Sequence, residues 1–252
     1  MFSKNIIFKN FELKKNIKNL KKIKKILKKE LIVSSSLLHS FSAEYKYSFG
    51  RSIIKKYKNY KNINLIGMGG SILGTEAIYD FLKFKIKKRV YFYDNLDVSA
   101  SKTKVKNKNL DIIISKSGST LETIVNQNIF SSSKKLFITE NKKSYLFDLA
   151  LKLRSDIIEH RNFVGGRYSA LSEVGMLPAE LLGLKSEKFK KFDNLIKNKN
   201  FMNTLINNVE TMYKFYLSGK TNSVILNFDK SLISLLEWYQ QLLSESLGKK
   251  GK

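Results

Sequence analysis

The sequence predicts an α/β fold built on a doubly wound parallel sheet with helices on both faces. From Asn62 onward, short apolar runs alternate with segments whose apolar residues recur at helical spacing. Two of the turns that lead from a predicted strand into a predicted helix are rich in glycine or in hydroxyl side chains. Alternation of this kind is typical of parallel strands joined by helical crossovers.

The elements follow in order along the chain. Apolar residues spaced three or four apart over residues 14–31 predict an amphipathic helix. Further helices are expected to begin at about Thr75 and Thr120. Residues 169–183 are predicted to form a helix that Pro178 bends in its interior, and most of residues 186–217 are predicted to be helical. Strands are predicted at INLIG, RVYFYD, DIIIS and KKLFIT.

The last part of the chain predicts the beginning of a second sheet. The apolar run SVILNF, residues 223–228, is expected to be a strand, and residues 231–247 a helix. One strand and one helix cannot form a stable sheet domain, so the C-terminus looks truncated. We therefore expect an N-terminal helical segment (1–55), a first α/β domain (56–185), and a helical connection with an incomplete second domain (186–252).

The composition excludes several kinds of site. The chain has no cysteine, which excludes disulfides and thiolate chemistry, and with only His39 and His160 a histidine-rich metal site is not expected. No run of 18 apolar residues and no cleavable leader is evident, which favours a soluble cytoplasmic protein. The chemistry must come from Glu, Lys, Arg and hydroxyl groups.

The net charge of +26 would suit a nucleic-acid or anionic membrane partner. The lysines, however, are scattered and seldom alternate with aromatic residues, as a base-stacking groove requires. The predicted helix at 14–31 also lacks Trp and Phe on its apolar face, which disfavours membrane binding. We interpret the charge as an incidental basic surface that favours anionic substrates, with no specific nucleic acid and no membrane as partner.

The motif GMGGSILG, residues 67–74, follows a predicted strand and opens a helix. Gly70 lets the backbone approach a ligand closely, and Ser71 and the helix N-terminus can bind a phosphate or sugar oxygen. The dinucleotide pattern G-x-G-x-x-G fits imperfectly because Ile72 holds its last glycine position. A nicotinamide dehydrogenase is therefore a poor second interpretation.

The motif SKSGSTLET, residues 115–123, also lies between a predicted strand and a helix. Its five hydroxyl residues exceed what a helix cap needs, and Lys116 adds positive charge. We favour a phosphate cradle over an ordinary cap.

Two further segments carry single residues of interest. Arg167, in GGRYS, is one of five arginines in a chain whose basic residues are mostly lysine. This choice suggests that the position needs the planar, forked donor geometry of a guanidinium. Glu245 lies near the end of a helix expected to stop at Gly248. On spacing alone, Arg167 could be a surface arginine and Glu245 a solvated glutamate.

Taken in order, GMGGSILG, SKSGSTLET, VGGRYSALSEVGMLP and EWYQQLLSESLGKKGK resemble four successive signatures of the glucose-6-phosphate isomerase family, from about Ile63 to the last residue. The second motif also resembles the Ser-rich loop of sugar isomerase (SIS) domains in general, whereas the arginine and ESLGK segments narrow the match. The resemblance implies an SIS fold, the start of a second SIS domain, and a homodimer in the complete protein.

The resemblance also implies roles for individual residues. Arg167 would stabilise the charge of an enediolate, and Glu245 would move a proton between C1 and C2 of the open-chain sugar. Glu122 would orient the site, and neither a metal nor an organic cofactor is implied. The phosphate or other parts of the substrate would be contacted by Ser115, Lys116, Ser117, Thr120 and Thr123, with Gly70 and Ser71 nearby.

Two departures from the family pattern stand out. The familiar SKTFTT is SKSGST here, so Gly118 replaces an aromatic residue, although phosphate binding is expected to survive. In the family, a histidine and a lysine that assist ring opening come from beyond the glutamate motif, where this sequence stops. Neither His39 nor His160 lies in a matching motif.

The leading hypothesis is an aldose-ketose isomerase that interconverts D-glucose 6-phosphate and D-fructose 6-phosphate in glycolysis and gluconeogenesis. It leaves open whether the 252-residue chain is active by itself. A sugar-phosphate-binding SIS module without catalysis is the alternative, and a nucleic-acid-binding protein is a third hypothesis that rests on charge alone.

Overall fold

The computed structural model describes residues 17–32, 38–96, 109–129 and 133–248. The chain forms two compact units. We call Glu44–Phe189 with Asn227–Lys252 the sheet unit, and Met1–Ala43 with Lys190–Leu226 the helical unit. The domain boundaries predicted after residues 55 and 185 stay predictions.

Five parallel strands form one sheet in the spatial order β2-β1-β3-β4-β5. The chain therefore winds outward in one direction from β1 to β2 and in the other from β3 to β5, which places a switch between β1 and β3. The predicted fold class and all four predicted strands of this sheet are confirmed. The strands are β1 Asn62–Ile66, β2 Arg89–Tyr93, β3 Asn109–Ile114, β4 Lys134–Thr139 and β5 Asp156–Glu159. The sequence prediction has no counterpart for β5, whose four residues include only two apolar ones.

The helices account for most of the remaining described residues, and none of them is both long and apolar enough to span a bilayer. The predicted helices near Thr75 and Thr120 are confirmed as α3 and α4, and residues 186–217 are largely helical as expected. In chain order the helices are α1 Ile17–Ile32, α2 Arg51–Tyr57, α3 Leu73–Leu82, α4 Leu121–Ile129, α5 Tyr145–Lys152, α6 Glu173–Leu181, α7 Phe192–Lys197, α8 Lys199–Leu217 and α9 Ile233–Leu247.

Helices cover both faces of the sheet, because alternate strand residues point to opposite sides. Leu65 and Ile112 pack against α2, α3 and α6 on one face. Ile113 and Phe137 pack against α4 and α5 on the other. All four side chains are at most 1% exposed, so both layers contribute a dry core.

Pro178 lies inside α6 and removes one backbone donor from the helix. The carbonyl that loses this donor belongs to Val174, four residues earlier. The hydroxyl of Thr75 in α3 donates to that carbonyl at 3.3 Å, so the group stays satisfied. The proline is thus accommodated by a contact between two helices on the same face of the sheet.

In the helical unit, α8 begins at a side-chain cap. The amide oxygen of Asn198 accepts from the backbone N–H groups of Asn200 and Phe201 at 3.0 and 3.1 Å. Such a cap satisfies two of the donors that the first turn of a helix leaves unpaired.

A buried ion pair joins the central strands. The carboxylate of Asp111 on β3 accepts from Asn64 on β1 at 2.8 Å and lies 3.3 Å from the ammonium of Lys135 on β4. Lys135 also donates to the carbonyl of Gln127 at 2.9 Å, and the Ser133 hydroxyl donates to the carboxylate. Burial raises the pKa of Asp111 and lowers that of Lys135, so each charge depends on its partner.

The strand predicted at residues 223–228 is wrong. No strand forms there, and Val224, Leu226 and Phe228 are 83%, 77% and 95% exposed. A strand needs a neighbour to complete its backbone hydrogen bonds, and none of the five described strands pairs with this segment. The helix predicted to follow it is confirmed as α9.

We predict that Lys135→Met destabilises the protein strongly. The substitution leaves the Asp111 carboxylate buried without its counter-charge, which costs about 3 kcal/mol or more. Lys134→Met is the matched control, because the adjacent Lys134 is exposed and its loss should change the free energy of unfolding by less than about 0.5 kcal/mol. Urea unfolding measures the free energy of unfolding of both variants. Equal losses would contradict the conclusion that Lys135 is the buried counter-charge of Asp111.

A second prediction concerns pH. Burial, reinforced by Asp94, Asp80 and Glu237, raises the pKa of Glu76 on α3 to about 7. A carboxyl with a raised folded-state pKa holds its proton longer in the folded state, so its contribution to stability falls as the pH rises from about 4.5 to about 7. Glu76→Gln should therefore stabilise the protein by about 1 kcal/mol at pH 8 and by much less at pH 5.

The control for this prediction is Glu44→Gln, at an exposed position of the sheet unit. Urea unfolding of both variants and the parent at pH 5 and pH 8 tests it. A stabilisation by Glu76→Gln that is the same at both pH values would show that the proton linkage is absent.

Candidate active site

The glycine turn after β1 and the hydroxyl loop after β3 lie side by side. We define the glycine turn as residues 67–74 and the hydroxyl loop as residues 115–120. β1 and β3 are parallel neighbours, so their carboxyl ends meet at one edge of the sheet. A Cβ atom on Gly67 would lie only 3.0 Å from the carbonyl oxygen of Ile114. This edge, at the switch in winding direction, is where open α/β sheets bind ligands.

The glycine turn also contacts the arginine turn, residues 165–169. A Cβ atom on Gly70 would overlap the carbonyl group of Gly166 and lie 2.7 Å from the backbone nitrogen of Arg167. The Ser169 hydroxyl lies 2.8 Å from the Gly70 carbonyl oxygen and 2.6 Å from that of Gly166. Only glycine at position 70 allows this approach, so the turn after β1 sets the position of Arg167.

The hydroxyl loop is held by its own side chains. The hydroxyls of Ser115 and Thr120 are 2.9 Å apart, and the Gly118 N–H donates to the Ser115 hydroxyl at 3.1 Å. Ser117 is exposed in this loop. The loop therefore presents a hydroxyl to solvent directly before the N-terminus of α4.

Gly118 is required here for two reasons. Its φ of +65° lies in the left-handed region, and a Cβ atom on it would overlap the hydroxyl oxygen of Ser144. Ser144 caps α5 by accepting from the N–H of Phe147. The space that a larger residue would need at position 118 is thus occupied by the cap of the neighbouring helix.

Lys116 connects the hydroxyl loop to the segment before the arginine turn. Its ammonium donates to the carbonyls of Asn162 at 2.7 Å and Val164 at 3.0 Å, and lies 3.8 Å from the Glu140 carboxylate. These contacts use two of the three donors of the ammonium, which leaves one for a ligand. The predicted role of Lys116 as a phosphate contact stays a prediction.

Arg167 and Glu245, predicted as the catalytic residues, meet in the structure. The Nη1 atom of Arg167 lies 3.2 Å from Oε2 of Glu245, and the side chains are 22% and 45% exposed. The other carboxylate oxygen of Glu245 accepts from Nε2 of Gln241 at 2.7 Å. A carboxylate and a guanidinium therefore lie together near the end of α9, and their catalytic roles stay predictions.

Two polar atoms beside this pair have no hydrogen-bond partner within the described residues. They are Nε of Arg167 and Oε1 of Gln241, and both are buried. Arg167 also lies against the ring of Tyr168, whose hydroxyl, together with Glu245, raises the pKa of Arg167. The site thus combines a permanent cation with one buried donor and one buried acceptor that have no partner among the described residues.

The structure does not join all the predicted site residues directly. Thr123 is buried, and its hydroxyl oxygen has no hydrogen-bond partner among the residues that the structure describes. Glu122 is half-buried in the first turn of α4. Within the described residues, no hydrogen bond links Ser71, Glu122 or Thr123 to the Arg167–Glu245 pair. Their assignments stay predictions.

The model of the phosphoglucose isomerase family matches residues 38–252. The chain belongs to this family. Among curated relatives, the glucose-6-phosphate isomerase of Methanocaldococcus jannaschii is 36% identical over 217 residues, which cover 78% of this chain and 53% of the relative. That of Acholeplasma laidlawii is 32% identical over 228 residues, covering 79% and 53%. The chain thus spans about half the length of the curated relatives it matches.

A solved structure supports the fold independently. A hypothetical protein from Thermus thermophilus superposes with a TM-score of 0.71 at 22% sequence identity, covering 91% of this chain and 60% of that one. The doubly wound α/β fold predicted from the sequence is therefore shared with a protein of solved structure.

Sequence reasoning missed Gln241 as a member of the site. The sequence feature that could have identified Gln241 is its spacing from Glu245. Gln241 precedes Glu245 by four residues and so lies on the same face of α9. Trp238, a further turn earlier, shares that face. A search for polar residues one and two turns before the family glutamate would have found both.

We predict that Gly70→Ala disrupts the site whereas Gly166→Ala does not. A Cβ on Gly70 meets backbone atoms of the arginine turn, which cannot rotate away, so the two turns must separate at a cost of about 2 kcal/mol or more. A Cβ on Gly166 meets nothing within 4 Å, and that variant should stay within about 0.5 kcal/mol of the parent. Urea unfolding followed by Trp238 fluorescence measures the difference, and similar midpoints would refute the close approach.

Proposed function

We propose that this chain carries the proton-transfer site of an aldose-ketose isomerase that interconverts D-glucose 6-phosphate and D-fructose 6-phosphate. The observation that carries the proposal is the 3.2 Å contact between Arg167 and Glu245 at the carboxyl edge of the sheet. Membership of the phosphoglucose isomerase family supports it. Because the chain spans about half of its curated relatives, the activity of the whole protein is itself part of the proposal.

The proposed reaction uses Glu245 as the base. Its carboxylate removes the C2 proton of the open-chain aldose, and the electrons of that C–H bond form an enediolate. The resulting acid then returns the proton to C1, while the hydroxyl proton on O2 passes to O1, which gives the ketose. A positioned carboxylate is suited to abstracting a proton next to a carbonyl.

Arg167 would stabilise the negative charge that develops on the sugar oxygen. Its guanidinium is permanently charged, and its buried Nε is unpartnered within the described residues, so a donor is available beside the base. Fixed charge in a partly buried site needs little reorganisation when the oxyanion forms. Gln241 would keep the second carboxylate oxygen of Glu245 oriented during the transfer.

The hydroxyl loop would bind the phosphate of the substrate. Ser117 is exposed directly before α4, and the first turn of that helix offers N–H groups and the positive end of the helix dipole. We extend the proposal to Ser115, Thr120 and Thr123 as further contacts, with Gly70 and Ser71 nearby and Glu122 orienting the site. Lys116 would add positive charge from the side of the loop.

For the complete protein, we propose a homodimer that works in the cytoplasm in glycolysis and gluconeogenesis, as the family resemblance implies. A second candidate is a sugar-phosphate-binding module without turnover. One observation favours it: both carboxylate oxygens of Glu245 already hold hydrogen bonds, from Arg167 and Gln241. Turnover separates the two candidates.

The test is conversion of fructose 6-phosphate to glucose 6-phosphate by the purified chain and by Glu245→Gln. Removing the base should lower the rate by about 10²–10⁴-fold. Glu237→Gln is the control, because Glu237 is on the same helix but lies beside Glu76 rather than Arg167. It should retain activity within about twofold, in line with a surface change.

Three outcomes are informative. Activity that Glu245→Gln abolishes and Glu237→Gln keeps supports the proposal. Equal activity in all three proteins rejects Glu245 as the base. Absent turnover with binding of an acyclic six-carbon sugar-acid phosphate identifies a binding module, and calorimetry measures that binding.

A further inference from the structure

We propose that Trp238 is the positioning residue of the Arg167–Glu245 pair, because its indole N–H holds the main chain of Arg167 against α9. The proposal rests on the proposed function and deepens it. It assigns the alignment of the base and the cation to a side chain that touches neither the substrate nor the reacting atoms.

The contact itself is specific. Nε1 of Trp238 donates to the carbonyl oxygen of Arg167 at 3.0 Å in a partly buried position. An indole has a single donor and no acceptor, so this bond satisfies its whole hydrogen-bonding capacity. The acceptor belongs to the backbone, so the bond fixes the turn that carries Arg167 and leaves its guanidinium free for other contacts.

The spacing on α9 explains how one bond positions two groups. Trp238, Gln241 and Glu245 are three and then four residues apart, so they lie on one face of the helix. Trp238 binds the backbone of Arg167, and two turns later Glu245 binds its side chain. The same helix face therefore holds Arg167 at both ends, which fixes how far α9 slides or rotates relative to the arginine turn.

The ion pair alone cannot supply this alignment. With side chains 22% and 45% exposed, it is partly hydrated and contributes little to holding two elements together. Two further hydrogen bonds to α9 within the described residues lie near its two ends. Ser234 donates to Asp80 on α3 at 2.5 Å, and the hydroxyls of Ser246 and Tyr168 are 3.4 Å apart. Trp238 lies between them along α9, on the helix face that carries Glu245.

Nuclear magnetic resonance tests the positioning role without any need for turnover. Trp238 is the only tryptophan, so a chain labelled with ¹⁵N-tryptophan gives one indole signal. If the bond to Arg167 persists, the indole proton exchanges with solvent at least about tenfold more slowly than in free tryptophan. Exchange at the rate of free tryptophan would overturn the proposal.

The second measurement follows Arg167 directly. Its side-chain Nε–H signal, assigned with Arg167→Lys, should shift or broaden in Trp238→Phe, which keeps an aromatic ring but removes the donor. The signals of the other four arginines should stay in place. Tyr239→Phe is the matched control, because it changes the neighbouring aromatic residue of α9 and should leave Arg167 unaffected. An unchanged Arg167 signal in Trp238→Phe would overturn the proposal.

Kinetics add a separate readout if the chain isomerises fructose 6-phosphate. Trp238→Phe should lower kcat about tenfold, as expected for one lost hydrogen bond, with KM unchanged within about twofold because the hydroxyl loop is untouched. A lower melting temperature with unchanged kcat would show a merely structural role and reject the proposal. Absence of turnover in the parent chain would count against the proposed function only, and the resonance experiments would still decide the role of Trp238.

Discussion

The parallel pairing of β1 with β3 is the constraint on which the site depends. It makes the chain change winding direction, and it places the ends of two strands that are distant in sequence at one edge of the sheet. The glycine turn and the hydroxyl loop become neighbours only through this pairing. The buried Asp111 links the same strands by accepting from Asn64, and its pairing with Lys135 extends the link to β4. Polar groups inside the sheet thus help to specify the strand order from which the site is built.

A close backbone contact then positions the arginine turn relative to the end of β1. Gly70 approaches Gly166 so closely that no side chain fits between them. The ammonium of Lys116 donates to the carbonyls of Asn162 and Val164, just before this turn. Two loops that follow different strands therefore confine one short segment, and Arg167 lies in it. Such confinement costs conformational entropy when the chain folds, and a site built on rigid strands meets that cost before any ligand binds.

The sequence predicted the elements whose signals are local. Apolar runs predicted four of the five strands. The buried strands β1, β3 and β4 carry mostly apolar residues because both of their faces are covered, and the partly exposed edge strand β2 is recognisable by its valine and aromatic residues. The sequence-based prediction failed where the outcome depends on distant partners. SVILNF has the pattern of a strand, but β structure needs a neighbour that the pattern does not reveal, and none of the described strands provides one. The contact of Trp238 was missed for the same reason, since its partner, Arg167, is 71 residues away in sequence. Gln241 is different, because its partner Glu245 lies four residues later on the same helix and the spacing alone could have revealed it.

Charge acts at two different ranges in this protein. The excess of lysine gives a net charge of +26, which attracts anions over roughly a Debye length, about 8–10 Å at moderate salt. The contacts at the end of α9 instead balance a guanidinium against a carboxylate, with an amide alongside. A basic surface concentrates a phosphorylated substrate but cannot discriminate among anions, because screened attraction carries no geometry. Selectivity has to come from the short-range groups. Contacts of Gly70, Ser169 and Trp238 with the backbone, together with the ammonium of Lys116, position these groups. The arrangement of the turns, more than the basic composition, therefore determines what chemistry the site can perform.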